Sequence, residues 1–258
     1  MQQNILGSMR LFKLIFTHIP NGITSLNVLS GCLSIACAFN NHLTTAAIFI
    51  FFAGIFDFFD GLSARMLKAY SEMGKSLDSL ADVISFGVAP SVIMLQLLLI
   101  SVRKEYPEIQ LESASFGILL IVYSSFIIAI FSAIRLAKFN TDPRQAESFI
   151  GVPTPANAFF IASLVFVIKD YSIFSEWLLN YRILIPLFII LSVLLVAEIP
   201  MIALKFKNLS VKDNKAQYLL VGIAIILISI FKLSAYPLIF ITYLILSIIF
   251  NPQKKLNH

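Results

Sequence analysis

Eight runs of apolar residues, joined by short polar connections, make up most of this chain. They fall at about 23–39, 43–59, 83–102, 116–134, 156–168, 183–204, 218–231 and 236–250. A helix needs about 20 such residues to cross the hydrocarbon core of a bilayer. With no water there, the backbone must satisfy its own polar groups. The pattern therefore predicts an all-α membrane protein, a polytopic bundle of about eight transmembrane helices. Composition agrees, with 59% hydrophobic residues, 13% charged residues and a mean hydropathy of +0.89. A soluble domain is about half apolar and a quarter charged, so a soluble enzyme, a disordered chain and a secreted disulfide scaffold are excluded. The fifth run is short and must recruit neighbours. Lys232 and Pro237 split the last two runs into a tight hairpin.

Residues 1–20 hold no long apolar run and no small-residue cleavage site, so no cleavable signal peptide is expected. Arg10 to Phe16 alternates basic and apolar residues, as a short helix lying in the membrane interface would.

Orientation follows from the loops. With the N-terminus in the cytoplasm, the inside carries Arg10, Lys13, Arg65, Lys68, Lys75, Arg135, Lys138, Arg144, Lys205, Lys207, Lys212, Lys215, Lys254 and Lys255. The outside carries Arg103, Lys104, Lys169, Arg182 and Lys232. That is 14 of the 19 basic residues against 5, so the positive-inside rule places both termini in the cytoplasm. The same rule explains the net charge of +5 without nucleic-acid binding. Cys32 and Cys37 sit in one apolar run and read as packing residues. His18, His42 and His258 show no ligand or triad spacing.

Four carboxylates crowd between Asp57 and Asp82. Asp57 and Asp60 are i,i+3 and share a helix face, with Gly61 and Ala64 beside them. Asp78 and Asp82 are i,i+4 at the start of the third span. The connection through Lys68, Gly74 and Lys75 lets the two helices turn back, so that the carboxylate pairs face each other at the cytoplasmic side. Unpaired carboxylates near hydrocarbon are costly, and bound divalent cations remove that cost. Oxygen ligands suit Mg²⁺, Mn²⁺ or Ca²⁺ over Zn²⁺. Gly61, Ala64 and Gly74 open a groove close to backbone, and Arg65 can neutralise a phosphate. Together these residues point to phosphoryl or pyrophosphate chemistry. The alternative is that Arg65, Lys68 or Lys75 simply pairs with the acids. At residue frequencies of several per cent, the eight specified positions coincide by chance in fewer than about one start in a billion.

The run Asp57-x2-Asp60-Gly61-x2-Ala64-Arg65-x8-Gly74-x3-Asp78-x3-Asp82 resembles the signature of the CDP-alcohol phosphatidyltransferases at every position. That family displaces CMP from a CDP-activated lipid with an alcohol. Four further stretches resemble its branch of membrane-integral phosphatidylserine synthases. They begin at Ile19-Pro-Asn21, Ser79-Leu-Ala-Asp82, Arg135-Leu-Ala-Lys138-Phe-Asn140 and Phe149-Ile-Gly151-Val-Pro153. The resemblance runs from about Asn21 to Leu204; the last two spans match in hydropathy alone. It implies a helical core at 21–204, an N-terminal interfacial segment at 1–20, and a hairpin with a basic tail at 205–258.

The activity implied is transfer of a phosphatidyl group from CDP-diacylglycerol to L-serine, giving phosphatidylserine and CMP. The site would face the cytosol from a bacterial cytoplasmic membrane, among membrane lipids, in a homodimer. By motif position Asp57, Asp60 and Asp78 would hold two Mg²⁺ or Mn²⁺ ions, and Asp82 would be a ligand or the base. Gly61, Ala64, Arg65 and Gly74 would seat the nucleotide. Asn21, Thr24 and Asn27, spaced by three, match the family's opening, which implies nucleotide contact, above all at Asn21 and Thr24; the other explanation is helix capping after Pro20 with polar residues bonded between helices. Arg135, Lys138 and Asn140 would bind the acceptor, although Lys138 and Arg144 also fit positive-inside anchoring. Within the sixth run Pro200 would kink the helix, and Glu198 would meet a basic side chain or the substrate amine. Another acceptor (glycerol 3-phosphate, inositol phosphate or choline) is the alternative within the family. A cation transporter using the Asp cluster is the alternative outside it.

Overall fold

The computed structural model describes residues 2–142, 144, 149–202 and 210–250, with side chains from His18 onward except Phe149. Leu204, Lys205, Lys207, Lys254, Lys255 and His258, named above, lie outside the described residues, as do the side chains of Arg10 and Lys13.

The first apolar run belongs to one long helix, α1 (Gln2–Phe39), with Pro20 inside it. Residues 10–16 continue this helix rather than forming a short one of their own. The chain then turns at Asn40–His42, where Asn41 takes φ 60°, a left-handed conformation that Asn tolerates. It returns as α2 (Leu43–Leu67), which packs along α1 through the small buried residues Ala46, Ala47 and Ala53. Ser34 Oγ ties the pair by donating to the Ala46 carbonyl at 2.8 Å.

Lys68, at φ 51°, closes α2. Ser71 then caps α3 (Glu72–Asp82) by accepting the Gly74 N–H at 3.0 Å. Helical structure continues without a break through a π-helical stretch (Val83–Val88) into α4 (Ala89–Glu105). This continuous stretch, 72–105, is the centre of the bundle: 78% of its most apolar window is buried, against 17–33% in the other spans. The π-helical stretch is held by tertiary contacts. Ser85 Oγ donates to the Asn27 carbonyl at 2.9 Å, joining residues 58 apart in sequence.

Gly31 makes that crossing close. A β-carbon there would collide with Ser85 Oγ and come within 2.9 Å of the Ser85 backbone. Gly31→Val should therefore destabilise by about 2 kcal/mol, lowering the melting temperature in detergent by several degrees. An unchanged melting curve would show that the crossing is looser than described.

Helices α5 (Phe116–Tyr123) and α6 (Ile127–Thr141) follow as one span, joined through a 3₁₀ turn at Ser124–Phe126. A two-residue strand, β1 (Phe149–Ile150), leads into α7 (Thr154–Asp170), α8 (Ser172–Leu178) and α9 (Tyr181–Val196). The sequence pattern runs the sixth span through Leu204 with a kink at Pro200, but α9 ends at Val196. Pro200 instead lies in β2 (Pro200–Met201), which pairs antiparallel with β1. Glu198 is thus in a connection, not within a span. Gly151, at φ +78°, lets the chain pass under the end of α9; a β-carbon would lie 2.6 Å from the Leu195 carbonyl. Helices α10 (Lys215–Phe231) and α11 (Tyr236–Ile249) pack on each other across a break at Lys232, whose φ is 52°.

Seven of the eight apolar runs fall on helices to within a residue, and the sixth does so only as far as Val196. Among the described residues, five helical stretches are long and apolar enough to cross a membrane, or six if the bent pair α8–α9 is one span. The count is below eight because α7 has only 17 residues, α9 alone only 16, and α10–α11 form one stretch of 35 residues. The chain is an all-α membrane protein.

Candidate active site

The end of α2 and the start of α3 meet against the polar face of α1. Carboxylate oxygens of Asp57, Asp60 and Asp78 lie within 4.8 Å of one another. Asp60 is 5% exposed, and its Oδ2 has no hydrogen-bond partner. Two unit charges 4 Å apart repel by roughly 4 kcal/mol at the effective dielectric of a protein surface. Such a cluster needs a cation, and among the described residues no Arg, Lys or His forms an ion pair with any of the four aspartates. Pairing with Arg65, Lys68 or Lys75 is therefore not what holds them.

The donor set fits a hard divalent ion. It consists of carboxylate oxygens, close enough to share a ligand sphere. Asp82 sits just outside this trio. It is 9% exposed, one helical turn beyond Asp78, with Oδ1 unpartnered. Asn27 of α1 is fully buried beside it, but the two make no hydrogen bond of normal geometry.

Thr24 lies beside Asp60, and its hydroxyl donates to the Pro20 carbonyl at 3.0 Å. Because α1 runs unbroken through Pro20, Asn21 and Thr24 are not helix caps. The Asn21 side chain packs on Gly74, where a β-carbon would come within 3.1 Å of Asn21 Oδ1. Gly74 thus brings α3 close to α1. Gly61 faces open space. Arg65 is exposed, and its Nε donates to the Gly61 carbonyl at 3.0 Å. Ala64 is half-buried next to it.

The proposed acceptor residues fall into two neighbouring places at the end of α6. Asn140 donates to Ser79 Oγ at 2.8 Å, one residue from Asp78. Arg135 and Lys138 line a cavity of about 120 Å³ together with Thr141, Asp142, Arg144 and Glu198. Arg135 is 4% exposed, its Nε is unpartnered, and its guanidinium lies 4.9 Å from the centre of the Phe139 ring. Arg144 pairs with Asp142 at 2.8 Å and with Glu198 at 3.5 Å. The hydrogen bond from Arg144 holds the Asp142 carboxyl below the usual carboxylate range.

Sequence reasoning passed over Ser79 and Asp142, and left Glu198 without a chosen partner. Glu198 was legible as the sole acid of its apolar run. Ser79 opens one of the resembling stretches but took no role there, because its bond to Asn140 depends on where α6 ends in space.

The sequence matches the family model of the CDP-alcohol phosphatidyltransferases over residues 17–251. The chain belongs to the CDP-alcohol phosphatidyltransferase family. Membership extends past Leu204 through the last hairpin, beyond the reach of the motifs, and it sets the cation-transporter alternative aside. Curated relatives carry the name CDP-diacylglycerol–serine O-phosphatidyltransferase. The one from Helicobacter pylori is 31% identical over 249 residues, which is 92% of this chain and 96% of that protein. The Bacillus subtilis relative is 38% identical over 138 residues, 54% of this chain and 70% of that protein. The relative from Methanocaldococcus jannaschii is 31% identical over 157 residues, 61% and 65% of the two chains.

Proposed function

We propose that this phosphatidyltransferase moves the phosphatidyl group of CDP-diacylglycerol to the hydroxyl of L-serine, giving phosphatidylserine and CMP. The observation that carries the chemistry is the Asp57–Asp60–Asp78 cluster, gathered without a basic partner among the described residues. The names of the relatives, one matched along nearly its whole length, support serine as acceptor.

Asp57, Asp60 and Asp78 would hold Mg²⁺ or Mn²⁺, two ions in the full assignment. When bound, such ions neutralise the pyrophosphate and stabilise the departing CMP. The rest falls to the side chains. Gly61 leaves the backbone of α2 open for the cytidine, with Ala64 beside it. Gly74 and Asn21 set the distance between α1 and α3, and Thr24 backs Asp60. Arg65, anchored through Nε, keeps its terminal nitrogens for the nucleotide phosphates.

Serine hydroxyl is a weak nucleophile and needs a positioned base. Asp82, close to the trio but not part of it, takes that proton. The serine oxygen forms its bond to the lipid-side phosphorus as the anhydride bond breaks, and the electron pair leaves on CMP. Arg135 and Lys138 would hold the serine carboxylate, with Asn140 fixed to Ser79 at the edge of the site.

In this assignment residues 21–204 form the core, flanked by 1–20 and 205–258. Eight spans cross a cytoplasmic membrane with both termini and the site on the cytosolic side, and the enzyme is a homodimer. The basic-residue count of 14 against 5 supports that orientation.

The three cations lining the α6 cavity favour one other assignment, a phosphorylated acceptor. A competition assay separates the two. Purified protein receives CDP-diacylglycerol, Mn²⁺ and equimolar L-serine, glycerol 3-phosphate and inositol 1-phosphate, and the lipids are resolved by mass. Phosphatidylserine should dominate; a phosphorylated lipid product would sink the serine assignment.

A further inference from the structure

The cavity at the ends of α6 and α9 carries both signs of charge. At about 120 Å³ it is well above the roughly 10–15 Å³ that admits a single water. Arg135 lines it, nearly fully buried, with Nε unpartnered and no carboxylate at ion-pair distance among the described residues. A buried guanidinium left alone is costly, so this wall calls for an anion. Asp142, just past α6, and Glu198, just past α9, also line the cavity, and Arg144 bridges them.

A site built for a dianionic phosphate would keep its cations clear of acids. Here one of three cations is already committed to two carboxylates, leaving the lining at one net positive charge. We propose that Asp142 and Glu198 determine acceptor specificity: they receive the α-ammonium group while Arg135 takes the carboxylate, so the cavity fits an amino-acid zwitterion and disfavours phosphorylated alcohols. This deepens the phosphatidyl-transfer assignment and rests on it. Glu198 takes one contact from Arg144, at 3.5 Å, and keeps lone pairs for an ammonium; Asp142 takes four, of which the forked Nε contacts at 3.1 Å yield to it while the 2.8 Å bond stays.

The test uses full-length purified protein with CDP-diacylglycerol and Mn²⁺. Wild type and the double variant Asp142→Asn/Glu198→Gln are each assayed with L-serine and with glycerate, which has the same skeleton with a hydroxyl in place of the ammonium. Glu198 is exposed and Asp142 only partly buried, so the fold should survive, and an unchanged KM for CDP-diacylglycerol checks that. The KM for serine should rise about tenfold or more, and the preference for serine over glycerate should shrink by a similar factor. An unchanged serine KM would overturn the proposal. So would a raised KM with the serine-to-glycerate preference intact. Failure of wild type to use serine at all would defeat the underlying assignment, and that arm reports independently of the variant.

Discussion

Replacing Asp60 with Asn should cut turnover by about 10³-fold and make the metal-free protein no less stable than wild type. The two effects have opposite origins. Without a cation, Asp60 is a buried carboxylate among like charges, so removing its charge relieves repulsion. With Mn²⁺ present, the same change deletes a ligand from a cluster of three. A ligand at one hundred times its Kd stabilises the folded state by about 2.7 kcal/mol, so Mn²⁺ should raise the melting temperature of wild type markedly. That rise should be largely lost in Asp60→Asn, together with the activity that charge neutralisation supplies. A variant that melts lower than wild type without metal, yet keeps the Mn²⁺ response, would show that Asp60 is structural.

Asp82→Asn should separate base from ligand. Its carboxylate lies outside the 4.8 Å group formed by Asp57, Asp60 and Asp78. The Mn²⁺-induced rise in melting temperature should therefore persist, while kcat falls by about 10³-fold, within the range for loss of a general base. The KM for CDP-diacylglycerol should change little. Loss of the Mn²⁺ response would move Asp82 into the ligand set, and retention of activity would remove it from the proton path.

The aspartate constellation was legible because helix periodicity is local. Spacings of three and four put each pair on one face wherever the helices lie, and the connection of Lys68 to Ser71 is short enough to bring the faces together. The helix termini near the site were less legible. Nothing in the composition of residues 83–88 announces a π-helical stretch; it is set by Ser85 reaching Asn27 and by the close pass at Gly31, contacts between residues more than fifty apart. The end of α9 was misread because Ala197, Ile199, Met201 and Ile202 continue the apolar run. What ends the helix is the two-residue pairing of β1 with β2, too short to leave a period-two pattern. Glu198, the charged exception in that run, marks the turn, and its meaning depends on Arg144 from another element. Asn27 was legible only as the third member of a spacing-three series; its burial beside Asp82 belongs to the helix packing.

The most direct measurement is CMP release by purified protein from CDP-diacylglycerol with Mn²⁺, with and without L-serine, for wild type and Asp82→Asn. The expected result is release that depends on serine, matches phosphatidylserine mole for mole, and is lost in the variant. Serine-dependent release that survives in Asp82→Asn, or no serine-dependent release from folded wild type, would contradict the assignment of this aspartate site to phosphatidyl transfer onto serine.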